Sequence, residues 1–104
     1  MEINSIDLQK KIDNGEKIIV DFYAKWCKPC SLMKPIFEKA SINNKTNVQM
    51  FTMDIDNNKD FVLSMGIRSI PVIKTFNNKK NINTIVGVIN GEKINELINN
   101  FYIN

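Results

Sequence analysis

The six residues Ile18-Ile19-Val20-Asp21-Phe22-Tyr23 do most to restrict what this chain can fold into. A strand with one wet face alternates apolar and polar residues, whereas this run is nearly all apolar, as expected of a strand buried on both faces. It needs cover on two sides, and the flanking sequence carries helical patterns that can provide it. Before the run, Leu8 and Ile12 lie one turn apart on a helix that Ser5 or Asn4 can cap and Gly15 can stop. After it, Leu32, Met33, Ile36, Phe37 and Ala40 read as one apolar helix face, with Pro35 inside the pattern and expected to kink it. A second core strand is expected over 48–54, then a short helix from Asn57 or Asn58 to near Gly66, then a loop from Ile67 to Pro71. Val72–Phe76 and Ile82–Val88 read as two strands joined by a turn at Asn77–Lys80. Ile94, Leu97, Ile98 and Phe101 have the i, i+3, i+4, i+7 spacing of a closing amphipathic helix. The expected fold is α/β, a three-layer sandwich with a central mixed sheet of four or five strands and about four helices around it; the fifth strand would be a minimal one at Glu2-Ile3. With 104 residues, 43% of them hydrophobic, the chain is expected to form a single domain over 1–104.

Charge and length exclude several functions. The net charge is only +3, and acidic and basic residues are interspersed without a run of five like charges, so no basic stripe for nucleic acid is present. No stretch approaches the roughly 20 apolar residues of a membrane span. Met1-Glu2-Ile3-Asn4-Ser5 lacks the basic start and apolar run of a signal peptide, so a cytoplasmic location is expected.

The two cysteines, Cys27 and Cys30, are separated by Lys28 and Pro29. Two cysteines do not make a disulfide scaffold, and in a reducing compartment such a pair is more often metal-binding or catalytic. Zinc wants four ligands, and the chain has no histidine and no further cysteine, so no metal is expected. If a helix starts near Cys27, with Pro29 suiting its first turn, Cys30 lies three residues on, on the same face. A Cα separation of about 5–6 Å then lets the pair exist as dithiol or disulfide with little backbone movement. Closing so small a loop stabilises the fold by only about 2 kcal/mol, which makes the bond easy to give up. Cys27 at the helix N-terminus is favoured as thiolate, hence as nucleophile; Cys30, a turn deeper, is expected to be shielded and to resolve the mixed disulfide. Lys28 adds a positive charge whose effect through water, at about 6 Å, is roughly 0.7 kcal/mol.

The segment Asp21-Phe22-Tyr23-Ala24-Lys25-Trp26-Cys27-Lys28-Pro29-Cys30 closely resembles the active-site segment of thioredoxins. Pro35, Asp54-Ile55-Asp56, Gly66-Ile67-Arg68-Ser69-Ile70-Pro71 and Gly87 follow in the same register, so the resemblance spans about residues 16 to 101. It implies that Pro71 is a cis-proline facing the cysteines and that the backbone of Ile70 pairs with an extended substrate segment. It implies that Trp26 forms an apolar rim, and that Asp21 is a buried carboxylate able to take the proton of Cys30. It further implies a protein-disulfide reductase with no bound cofactor, re-reduced by a thioredoxin reductase drawing on NADPH. Its partners would be that reductase and disulfide-containing proteins, and the chain would act as a monomer. A thiol oxidase or isomerase of the same fold, or a non-catalytic adaptor, are the alternatives. The chain departs from the family pattern in four places: Lys28 stands where Gly is usual, Thr52 where a lysine often sits near the buried Asp, a hairpin Gly is replaced around Lys79, and the N-terminal segment is short.

Overall fold

β1 (Ile18–Tyr23) lies in the middle of the sheet and is buried on both faces, as its composition requires. The computed structural model describes residues 1–103; Asn104, the last residue of the expected domain, lies outside the described residues. The other elements are α1 (Ser5–Asp13), α2 (Lys28–Asn43), β2 (Gln49–Asp54), a 3-10 turn at Ile55–Asn57, α3 (Lys59–Ser64), β3 (Val72–Asn77), β4 (Lys80–Val86) and α4 (Gly91–Ile103). The sheet order is β2-β1-β3-β4. β2 runs parallel to β1, which demands a long crossover, and α2 supplies it. β3 is antiparallel to both β1 and β4.

Because successive strand residues point to opposite faces, β1 feeds two cores. Ile18, Val20 and Phe22 pack with Leu8 and Ile12 of α1 and Val62 of α3. Ile19 packs on the other face with Met33, Phe37 and Ala40 of α2 and Ile94, Ile98 and Phe101 of α4. Phe22, Phe37 and Phe76 are at most 2% exposed, and the burial of each contributes on the order of 2–3 kcal/mol. Asp21 falls on the α2 face of this strand, one position from each of two core residues.

Local chemistry explains most boundaries. The Asn4 side chain, not Ser5, caps α1 by accepting the Asp7 N–H at 2.8 Å, and Gly15 follows the helix with φ of +73°. α2 continues as one helix through Pro35. Its buried stripe is Cys30, Met33, Phe37 and Ala40. Leu32, expected on that stripe, is 62% exposed: a helix beginning at Lys28 turns it away from the sheet. The minimal first strand shrinks to a single bridge, Glu2 to Thr52, so the sheet has four strands. β4 ends at Val86 and not Val88, because Gly87 turns away with φ of +98°.

Asn78 and Lys79 form the two-residue turn between β3 and β4, with φ of +53° and +70°. Two left-handed residues in sequence mark the hairpin turn that matches strand twist, a turn that favours Asn-Gly. Asn adopts this conformation readily, whereas Lys does so at an energetic cost. Lys79→Gly is expected to raise stability by about 0.5–1 kcal/mol, seen as a later midpoint in guanidinium unfolding. The buried Lys74 of β3 reaches β4 instead of an acid: its Nζ donates to Asn81 Oδ1 at 2.9 Å and Thr84 Oγ1 at 3.0 Å. Burial holds its ammonium pKa below the ordinary lysine value.

Candidate active site

The end of β1 runs through Ala24 into the start of α2, and this junction places the cysteines. Cys27 is the N-cap of α2, its own N–H donating to the Ala24 carbonyl at 3.2 Å. Pro29 occupies the first turn, where its missing N–H costs no hydrogen bond. Cys27 and Cys30 are joined as a disulfide with a Cα separation of 5.3 Å, inside the range expected from the helix geometry. The Cys30 backbone N–H donates to Cys27 Sγ at 3.3 Å, so the sulfur occupies the acceptor position of a helix cap. A thiolate there meets both this donor and the positive end of the helix. Burial separates the two residues less than expected: Cys27 is 7% and Cys30 4% exposed. What sets Cys27 apart is its place as the helix cap.

Two surfaces meet at the pair. On one, the Ile70–Pro71 peptide bond is cis, Pro71 is buried, and the Ile70 carbonyl oxygen lies 3.9 Å from Cys27 Sγ. The Pro71 carbonyl accepts the Gly87 N–H at 2.8 Å, which ties this loop to the end of β4. Trp26 is 70% exposed, and its Nε1 donates to Asp56 Oδ2 at 2.8 Å. Asp56 is itself placed by the 3-10 turn, where the Asp54 carboxylate accepts the Asp56 N–H at 2.9 Å. Lys28 is exposed at the first position of α2.

On the other surface a cleft of about 600 Å³ runs between α2 and the N-terminal segment, lined by Asp21, Cys27 and Cys30 among others. Asp21 is 2% exposed and its Oδ1 has no hydrogen-bond partner. Desolvation, with a smaller contribution from the nearby Glu2 carboxylate, pushes its pKa up to about 7. Thus Ile70 and cis-Pro71 lie against Cys27, Trp26 is held by Asp56, and Asp21 lines the cleft with both cysteines. Glu2 and Asp56 were not singled out by sequence. Asp56 carried a signal, since Asp54-Ile55-Asp56 is part of the recurring pattern. Glu2 carried none, because only the folded bridge to Thr52 brings it near Asp21.

A cysteine pair set at disulfide distance across one turn of helix can pass two electrons to a disulfide brought against it, which makes the chain a dithiol–disulfide exchange protein. The comparisons narrow this class. The family model described as Thioredoxin matches residues 1–100. A thioredoxin of Rickettsia bellii is 39% identical over 83 residues, covering 80% of this chain and 79% of that protein. A thioredoxin of Malassezia sympodialis is 37% identical over 87 residues, covering 82% of this chain and 83% of that protein. The thioredoxin structure of Fasciola hepatica superposes with a TM-score of 0.84 at 27% identity, covering 97% of this chain and 99% of that one. The chain belongs to the thioredoxin family and is a thiol–disulfide oxidoreductase. An oxidase, isomerase or adaptor reading is not favoured. Among the described residues no helix is long and apolar enough to cross a membrane, and no group of three or more His, Cys, Asp or Glu is placed to hold a metal ion.

Proposed function

We propose that the chain acts as a general protein-disulfide reductase in which Cys27 is the attacking sulfur. The observation that carries this reading is the cap: Cys27 Sγ accepts the Cys30 N–H at the positive end of α2. Cys27 thiolate attacks one sulfur of a substrate disulfide, forming a mixed disulfide and releasing the other sulfur as a thiolate. Cys30 then attacks Cys27, forming the Cys27–Cys30 bond and expelling the second substrate thiolate. Asp21, ionised and lining the same cleft, takes the Cys30 proton in this second step, through water. In sum, two electrons pass from the Cys27–Cys30 pair to the substrate disulfide, the Cys30 proton goes to Asp21, and the two released substrate thiolates take up protons from solvent. Ile70 beside cis-Pro71 offers backbone to an extended substrate segment, as in strand addition, while Trp26, Pro29 and Lys28 form the rim that the substrate meets.

A thioredoxin reductase drawing on NADPH returns the pair to its dithiol form, so the chain serves as a monomeric, single-domain electron carrier over 1–104, in the cytoplasm. A coupled assay tests this: reductase, NADPH and insulin should consume NADPH only when the chain is present. NADPH consumption equal with and without the chain would rule the reading out. Lys28 tunes the attacking sulfur modestly. Lys28→Gly is expected to slow alkylation of reduced Cys27 by iodoacetamide at neutral pH about two- to threefold.

A further inference from the structure

Two hydroxyl groups that could serve Asp21 are engaged elsewhere, and Glu2 engages them. Thr52 is the residue paired directly across from Asp21 on β2, and Tyr23 lies two positions along β1 on the same face. These side chains are the natural hydroxyl donors for a carboxyl at that position, and Tyr23 is close enough to feel the charge of Asp21. Yet Tyr23 Oη donates to Glu2 Oε1 at 2.8 Å, and Thr52 Oγ1 donates to the same oxygen at 2.8 Å. The backbone N–H of Asp54 donates to Glu2 Oε2 at 2.9 Å. The backbone holds Glu2 in this place, because Ile3 N–H donates to the Thr52 carbonyl and Thr52 N–H to the Met1 carbonyl, both at 2.9 Å. Asp21 Oδ1 is left bare.

From this arrangement we infer that Glu2 is a positioning residue for the exchange reaction: it takes the hydroxyl donors of Tyr23 and Thr52 and thereby keeps the buried Oδ1 of Asp21 unpartnered, which makes Asp21 a stronger proton acceptor for Cys30. A carboxylate that accepts two hydroxyl bonds is stabilised in its charged form and is a weaker base. Denying it those bonds has the opposite effect, and the negative charge of Glu2 acts in the same direction. Other charged groups face Asp21 as well. Asp54 of β2 is buried, but its carboxylate is occupied by the Asp56 N–H and the Asn57 side chain. Lys25, Lys34 and Glu38 line the cleft from the α2 side and Met1 from the N-terminal side; all four are exposed. Tyr23 itself is held neutral, its hydroxyl pKa pushed up chiefly by burial and then by its bond to Glu2. Among the described residues, Glu2 is the charge fixed by bonds to both neighbours of Asp21.

The inference rests on the reading of Asp21 as proton acceptor, and two readouts separate them. The first is the carboxyl-carbon NMR titration of Asp21 in the wild type, Glu2→Gln and Glu2→Ala, each checked for folding by thermal melting. Glu2→Gln removes the charge but keeps an oxygen for the two hydroxyls; Glu2→Ala removes both. The Asp21 midpoint is expected to fall by about half a pH unit in Glu2→Gln and further in Glu2→Ala. Midpoints unchanged in both folded variants would overturn the inference and leave the role of Asp21 standing. The second is the pH profile of mixed-disulfide release in the same variants. It should move to lower pH with the titration and slow at its plateau. A titration that moves beneath a fixed profile would uphold the arrangement of Glu2 but remove Asp21 from the reaction, and with it the consequence drawn for exchange.

Discussion

Asp21→Asn is expected to make the oxidised protein more stable, with a gain that depends on pH in a defined way. The Asp21 pKa rises from 3.8 for the free side chain to about 7 in the fold, mainly because burial disfavours the charge. Between these two values the folded state holds a proton that the unfolded state has released. Stability therefore falls as pH rises across that window, and the loss is complete above about pH 7. Three pKa units correspond to about 4 kcal/mol at most. The Asn variant has no proton to lose and escapes this decline. Its advantage over the wild type should be smallest near pH 4, grow towards pH 7 and then level off, as read from urea unfolding at pH 4, 6 and 8. The same variant should exchange disulfides more slowly near neutral pH with its fold intact, since the proton acceptor for Cys30 is gone. Equal exchange rates from pH 6 to 9 would remove Asp21 from the mechanism. Greater stability with slower chemistry is a combination that a purely structural carboxylate would not give.

The cysteine variants should lose still more, and in different ways. Cys27→Ser leaves a hydroxyl at the helix cap, far too weak a nucleophile to open a disulfide, so substrate reduction should fall by several orders of magnitude with no adduct formed. Cys30→Ser keeps the attacking sulfur and the helix that favours its thiolate. It should open a substrate disulfide once and then stall, because nothing within the chain can release the mixed disulfide. Turnover is lost in both variants, but only the second accumulates a covalent complex. This asymmetry is expected from the helix cap that Cys27 provides.

How much of this was legible beforehand follows from the range of each interaction. The cysteine pair, Pro29 and the buried strand containing Asp21 were readable because their geometry is set within one turn of helix or one run of strand. The cis-proline at Pro71 was readable only through resemblance, since its neighbours along the chain do not reveal what it faces. The helix stripe was misjudged at Leu32 because period alone does not say which residue of a wide apolar face meets the sheet. The hairpin was expected, but its left-handed Lys79 replaces the glycine that usually signals such a turn. Glu2 lay furthest from reach. Its influence on Asp21 passes through Thr52, fifty residues away, and only the folded bridge brings them together.

The most direct test of the account is mass spectrometry of the covalent product formed when reduced Cys30→Ser meets a disulfide-linked peptide. The account predicts one peptide strand joined to Cys27, released on adding dithiothreitol, with no comparable adduct in Cys27→Ser. An adduct that instead forms on Cys30 of Cys27→Ser, while Cys30→Ser stays unmodified, would contradict it.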